Sequence, residues 1–187
     1  MKDRLAVHLP INENDRKVKI VTTKPIVFLA GPIRNALPWR DDAIKLLIEK
    51  ELDVFIASPA RTIDDGLRQY VEKDKPEYEV FERQRAWEQY YLYEAAKNGC
   101  VFFYLPKEAE IKEVADKVYA HITMLELGEW IERHKNNKNI NLVIATDGNF
   151  PEWSTVKYEL EKEEVTNIYL SMQDGIDAVA HLISKQN

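Results

Sequence analysis

The sequence predicts an α/β protein in which five strands form a parallel sheet with helices on both faces. Three observations predict it. Short unbroken apolar runs, such as "IVFLA" and "CVFFYLP", read as strands buried on both sides. Helical patterns separate these runs at intervals of roughly 30 residues, the length of a βαβ unit. Glycine and proline close the runs at Gly31-Pro32, Pro59 and Pro106, where strand passes into loop.

The first 25 residues are polar and mixed. Within them "RKVKIVTT" alternates weakly, which predicts an N-terminal arm or an edge strand. Ile26 to Ala30 is the first core strand. Pro38 and the acids Asp41 and Asp42 suit the start of a helix over "WRDDAIKLLIEKEL", with Ala43, Leu46 and Leu47 on its apolar side. Asp53 to Pro59 is the second strand. "ARTIDDGLRQYVEKDKPE" carries turn residues and no period, so it reads as a long loop or lid. A long helix runs from Tyr78 to about Lys97 and stops at Asn98-Gly99. Cys100 to Pro106 is the third strand, followed by the polar connection "KEAEIKEVADK" and a helix over roughly Ile122 to His134. Asn141 to Thr146 is the fourth strand, with the loop "DGNFPEWST" behind it. Asn167 to Ser171 is the fifth, and "DGIDAVAHLISK" is the closing helix.

The 187 residues are expected to form one domain, with residues 1–25 as its arm. A hydrophobic fraction of 45% and a charged fraction of 31% fit a soluble globular chain. The net charge is −6 and no dense basic run occurs, so the electrostatic footprint of a nucleic-acid binder is missing. No apolar stretch nears the ~18 residues of a membrane span, and the first residues lack the apolar core of a signal peptide. Cys100 is the single cysteine and the four histidines are scattered, which leaves no disulfide and no Cys/His metal cluster. A cytoplasmic protein without metal or organic cofactor, nucleic-acid partner or membrane partner is expected.

Chemistry is expected where residues depart from local preference. In "HITMLELGEW", Glu126 stands between Leu125 and Leu127, and Gly128 interrupts a helix. A carboxylate in an apolar run is costly unless paired or used, and a helical glycine costs about 1 kcal/mol against alanine. Thr123 and Trp130 share its side of the helix at i−3 and i+4. In "AGPIRNALPW", Ala30 and Gly31 let a ligand approach the backbone, Pro32 fixes the exit, and Arg34 can meet an anion or stack on a ring. The glycine spacing of phosphate and dinucleotide loops is absent. In "RQRAWEQYYL", Trp87 and Glu88 lie together on the long helix, with Gln84, Tyr91 and Leu92 one turn away. In a parallel sheet these elements converge beyond the carboxyl ends of the strands, where ligands bind.

Taken in order, "FLAGPI…W…A…LL", the "P-x-R" after the second strand, "WE", "FFYLP" and "T-x-x-E-L-G-x-W" resemble the nucleoside 2-deoxyribosyltransferase family, in its branch with "WE" and "T-x-x-E-x-G" signatures. The resemblance spans about Ile26 to Val156. It implies a flavodoxin-like sheet, exchange of the base between a 2′-deoxynucleoside and a free nucleobase, no cofactor, and a homo-oligomer in which a neighbouring subunit completes the site, here through the "DGNFPEW" loop. The family's nucleophile falls on Glu126 and its second acid on Glu88, as sugar anchor or proton donor. Its base pocket points to Phe28, Gly31, Pro32 and Trp39, joined by Arg61 and Trp87, and Ile33, Arg34 and Thr123 are further substrate-binding candidates. Asp116 is a candidate helper in a connection longer than the family's. An ionised Glu126 needs donors, for which the Gly31 loop backbone is expected.

Two other readings compete. One is an N-glycosidase that hydrolyses (deoxy)nucleoside 5′-monophosphates, which "GPIR" partly echoes and in which Arg34 binds phosphate. The other is a non-catalytic nucleotide-sensing domain, in which Glu126 would be locked in an ion pair away from any cleft.

Overall fold

A computed structural model describes residues 6–8, 23–60, 77–112 and 118–185. The elements are β1 (Ala6–His8), β2 (Ile26–Ala30), α1 (Trp39–Glu49), β3 (Phe55–Ala57), α2 (Glu77–Lys97), β4 (Gly99–Leu105), α3 (His121–Asn136), β5 (Leu142–Thr146), α4 (Trp153–Lys162), β6 (Ile168–Tyr169) and α5 (Met172–Ser184). All strands run parallel, in the order β1-β3-β2-β4-β5-β6. The five expected strands are β2 to β6, and their order is that of a flavodoxin-like sheet. β1 extends the edge, pairing Ala6 with Phe55. It comes from the expected arm but not from "RKVKIVTT", whose residues 16–22 lie outside the described ones.

The pleat explains why the strands read as unbroken apolar runs. β2 sends Ile26, Phe28 and Ala30 into one core and Val27 and Leu29 into the other; β4 divides Val101, Phe103 and Leu105 from Cys100, Phe102 and Tyr104 in the same way. One face is covered by α2, α3 and α4 through Trp87, Tyr91, Leu127, Trp130, Val156 and Leu160. The other is covered by α1 and α5 through Ala43, Ile44, Leu47, Ile176, Val179 and Ile183. With both faces buried, no polar alternation is left to see.

Two local features set the frame. Gly99 ends the segment after α2, as expected, and also opens β4 at φ +151; a Cβ there would lie 1.9 Å from the Ile26 carbonyl oxygen. Glycine therefore lets β4 pair with β2 from its first residue, Gly99 opposite Ile26. Helix α4 has no counterpart in the sequence pattern. It buries only Val156 and Leu160 in a run crowded with lysine and glutamate, directly behind the turn residues of "DGNFPEWST", which read as loop.

From β2 the chain crosses to β3 on one side and returns to β4 on the other. The crossovers diverge at the carboxyl ends of β2 and β4 and leave a crevice there. Among the described residues, no helix is long and apolar enough to cross a membrane, and no group of His, Cys, Asp or Glu is placed to hold a metal.

Candidate active site

A cleft of about 220 Å³ opens at this crevice. Phe28 and the turn Gly31-Pro32-Ile33-Arg34 line it from β2, Gln84, Arg85 and Glu88 from α2, and Thr123 and Glu126 from α3.

The packing of each helix places its carboxylate. On α3 the buried residues are Thr123, Leu127, Trp130 and His134, a stripe at helical spacing. Glu126 stands at the edge of that stripe, so it is held against the core with its side chain 15% exposed. On α2, Trp87 packs into the core, and Glu88 beside it keeps a side chain 10% exposed. Two glutamates from distant parts of the chain thus face one cleft.

Arg85 joins them. Its Nη1 donates to Glu88 Oε2 at 2.7 Å and also to Glu126 Oε1. Gln84 Nε2 donates to the other Glu88 oxygen at 2.9 Å. Burial raises the Glu126 pKa above its ordinary value and the nearby Glu88 adds to this, while Arg85 and Arg40 offset part of the rise. For Arg85, burial opposes the charge, but Glu126 and Glu88 outweigh it and the net shift is upward. The expected donor to Glu126, the Gly31 loop backbone, is replaced by the Arg85 side chain. Three residues before Glu88, Arg85 lies on the same side of α2 and reaches across to α3.

The Gly31 turn is fixed from behind. Gly31 sits at φ +143, and a Cβ there would lie 2.4 Å from the Tyr104 carbonyl oxygen and 2.8 Å from the Trp39 ring. Trp39 Nε1 donates to the Pro32 oxygen at 3.0 Å. Arg40 donates to the oxygens of Gly31 at 2.7 Å, Pro32 at 3.0 Å and Leu29 at 3.4 Å.

Phe28, Gly31, Pro32, Ile33, Arg34, Thr123, Glu88 and Glu126 thus meet at one cleft. Trp39 does not line it: the ring is buried behind the turn, 5.3 Å from the Tyr104 ring, because Gly31 leaves room for it on the core side. Trp87 does not line it either; it is core, packed on Phe28 at 6.1 Å and Tyr91 at 4.7 Å. Arg61 and Asp116 lie outside the described residues. Among the described residues nothing lies within 4 Å of a Cβ built on Gly128, so none of them uses the access it gives. Sequence reasoning missed Arg85 and Arg40. The one local signal was the i,i+3 spacing of Arg85 and Glu88. Compared with known proteins, the chain matches no family model, and no curated protein matches it.

Proposed function

We propose that the protein is a nucleoside 2-deoxyribosyltransferase that exchanges the base of a 2′-deoxynucleoside through a glycosyl ester on Glu126. The observation that carries this reading is the pair of carboxylates facing one cleft at the switch point, bridged by a single guanidinium. A Glu126 carboxylate oxygen attacks C1′ of the sugar. The C1′–N bond breaks, and its electron pair leaves with the base, which takes up a proton. The nitrogen of a second base then attacks C1′, loses its proton, and releases the carboxylate with net retention.

Arg85 engages Glu126 Oε1, which keeps the carboxylate oriented while Oε2 remains for attack. Both Glu88 oxygens accept hydrogen bonds, from Gln84 and Arg85. That suits an anchor accepting from a sugar hydroxyl better than a proton donor. Phe28, Pro32 and Ile33 give the base an apolar wall. The homo-oligomer belongs to the same reading: Val118, Ile122 and Leu125 are exposed where α3 begins beside the cleft, a face a neighbouring copy can cover.

The 5′-monophosphate hydrolase remains the second reading, favoured by the cleft mouth. Arg34 lines it, and α3 begins there after Ala120, which provides no side-chain cap for the first-turn N–H groups. Such an uncapped terminus suits a phosphate. The sensing reading is less well supported, since the Glu126–Arg85 pair lies inside the cleft. A panel of deoxynucleosides and their 5′-phosphates, incubated with and without free bases, tests all three by product analysis. Base exchange on unphosphorylated substrates supports the transferase. Release of base from phosphorylated substrates alone supports the hydrolase, and binding without turnover supports the sensor.

A further inference from the structure

We propose that Arg40 is a positioning residue of this site, whose buried guanidinium locks the Gly31-Pro32 turn from beneath and balances the charge of the two-carboxylate cleft. The second half rests on the proposed function for its importance, not for its measurement.

Arg40 is the second residue of α1 and only 5% exposed. Its fork reaches the oxygens of Leu29 near the end of β2 and of Gly31 and Pro32 in the turn that follows, and its Cζ lies 4.3 Å from the Trp39 ring centroid. The same side chain borders the cleft. Carbonyl oxygens alone do not require a cation: the Trp39 indole satisfies Pro32 with a neutral N–H. A buried charge is expensive unless something opposite compensates it. Among the described residues no carboxylate touches Arg40, and the groups acting on it at longer range are Glu88, Glu126 and the Tyr119 phenol. Burial draws its pKa down to about 9, with those two carboxylates opposing the fall, so it stays charged at neutral pH.

Among the described residues the inner cleft therefore holds two cations, Arg40 from α1 and Arg85 from α2, against two carboxylates, Glu88 from α2 and Glu126 from α3. Among the described residues, His121 at the start of α3 and Arg34 on the turn complete the titratable and charged groups that line it, and Tyr119 faces Arg40 from the segment before α3. Removing Arg40 leaves the inner group with a net negative charge. Glu126 then holds its proton to higher pH, and the turn loses the fork that fixes it.

The test follows Glu126 directly. Full-length protein carrying ¹³C-labelled glutamate carboxyls is titrated by NMR, with the Glu126 signal assigned through Glu126→Gln. Arg40→Gln keeps donors for the turn and removes the charge; Arg40→Lys keeps a cation and loses the fork. The Glu126 midpoint is expected to rise in Arg40→Gln and to stay closer to wild type in Arg40→Lys. Both variants should lose base-exchange kcat/KM, by about 100-fold where the turn shifts by an ångström, and the acid limb of the pH profile should move upward only in Arg40→Gln. A folded Arg40→Gln whose Glu126 midpoint is unmoved overturns the proposal. If that variant does not fold, Arg40→Lys decides: a folded protein with unchanged kcat/KM overturns it, and a lowered kcat/KM with a near-native midpoint supports it. Lack of any turnover in the wild type would remove the proposed function and leave the titration result standing.

Discussion

Replacing Arg85 with methionine separates charge from packing in this cleft. The side chain is of similar length, but the bonds to Glu88 and Glu126 disappear. Hydrogen bonds to charged groups contribute about 1.5–3 kcal/mol each, so the gross loss is roughly 3–6 kcal/mol. Arg85 is 29% exposed, so water recovers part of this, and a net loss of about 2–4 kcal/mol is expected. For a chain of this length each kcal/mol lowers Tm by about 2–4 °C, which gives a drop of roughly 5–15 °C at pH 8. The drop must depend on pH. Burial already raises Glu126, and a group raised in the fold contributes stability at low pH that is lost as pH climbs through its folded value. Without Arg85 the rise is larger, so the penalty grows from pH 5 to pH 8. Calorimetry at both values reads it. An equal drop at the two pH values would mean that Arg85 acts by packing alone, and no drop would refute the ion-pair reasoning altogether.

Other outcomes follow from the same geometry. Glu126→Gln should bind deoxynucleoside and lose turnover by at least about a thousandfold, as expected for a missing nucleophile; equilibrium binding and product analysis check the two halves. In the wild type, kcat/KM should rise with pH along an acid limb whose midpoint lies above 4.5, the ordinary glutamate value, because buried Glu126 must be ionised to attack. Gly31→Ala places a Cβ against the Tyr104 carbonyl and the Trp39 ring at a φ that alanine rarely adopts. It should cost about 1–3 kcal/mol in backbone strain alone, visible in chemical denaturation.

The inner strands were legible because burial on both faces leaves unbroken apolar runs, as in Val101 to Leu105, whereas the edge strand β1 was not. Helix α4 was not, since its two buried residues lie in a run of lysine and glutamate that follows a turn-rich loop. Glu126 and Glu88 could be read as candidates from chemistry out of place: a carboxylate between leucines, and another beside a core tryptophan. Their partner could not be read, because Arg85 and Glu126 are 41 residues apart and meet only through the packing of α2 and α3 on one face of the sheet. Trp39 shows the other limit. An aromatic after a glycine turn can wall a pocket or buttress the turn, and only the direction of the Gly31 backbone decides which. Arg40 looked like an ordinary polar residue at a helix start, and its role depends on carbonyls up to 11 positions away.

The central claim is that Glu126 forms a bond to C1′. Wild-type protein mixed with a 2′-deoxynucleoside, quenched in acid and digested, should yield the peptide containing Glu126 with the added mass of a deoxyribosyl group, and Glu126→Gln should yield none. An adduct on another residue, or base exchange that persists in Glu126→Gln, would contradict it.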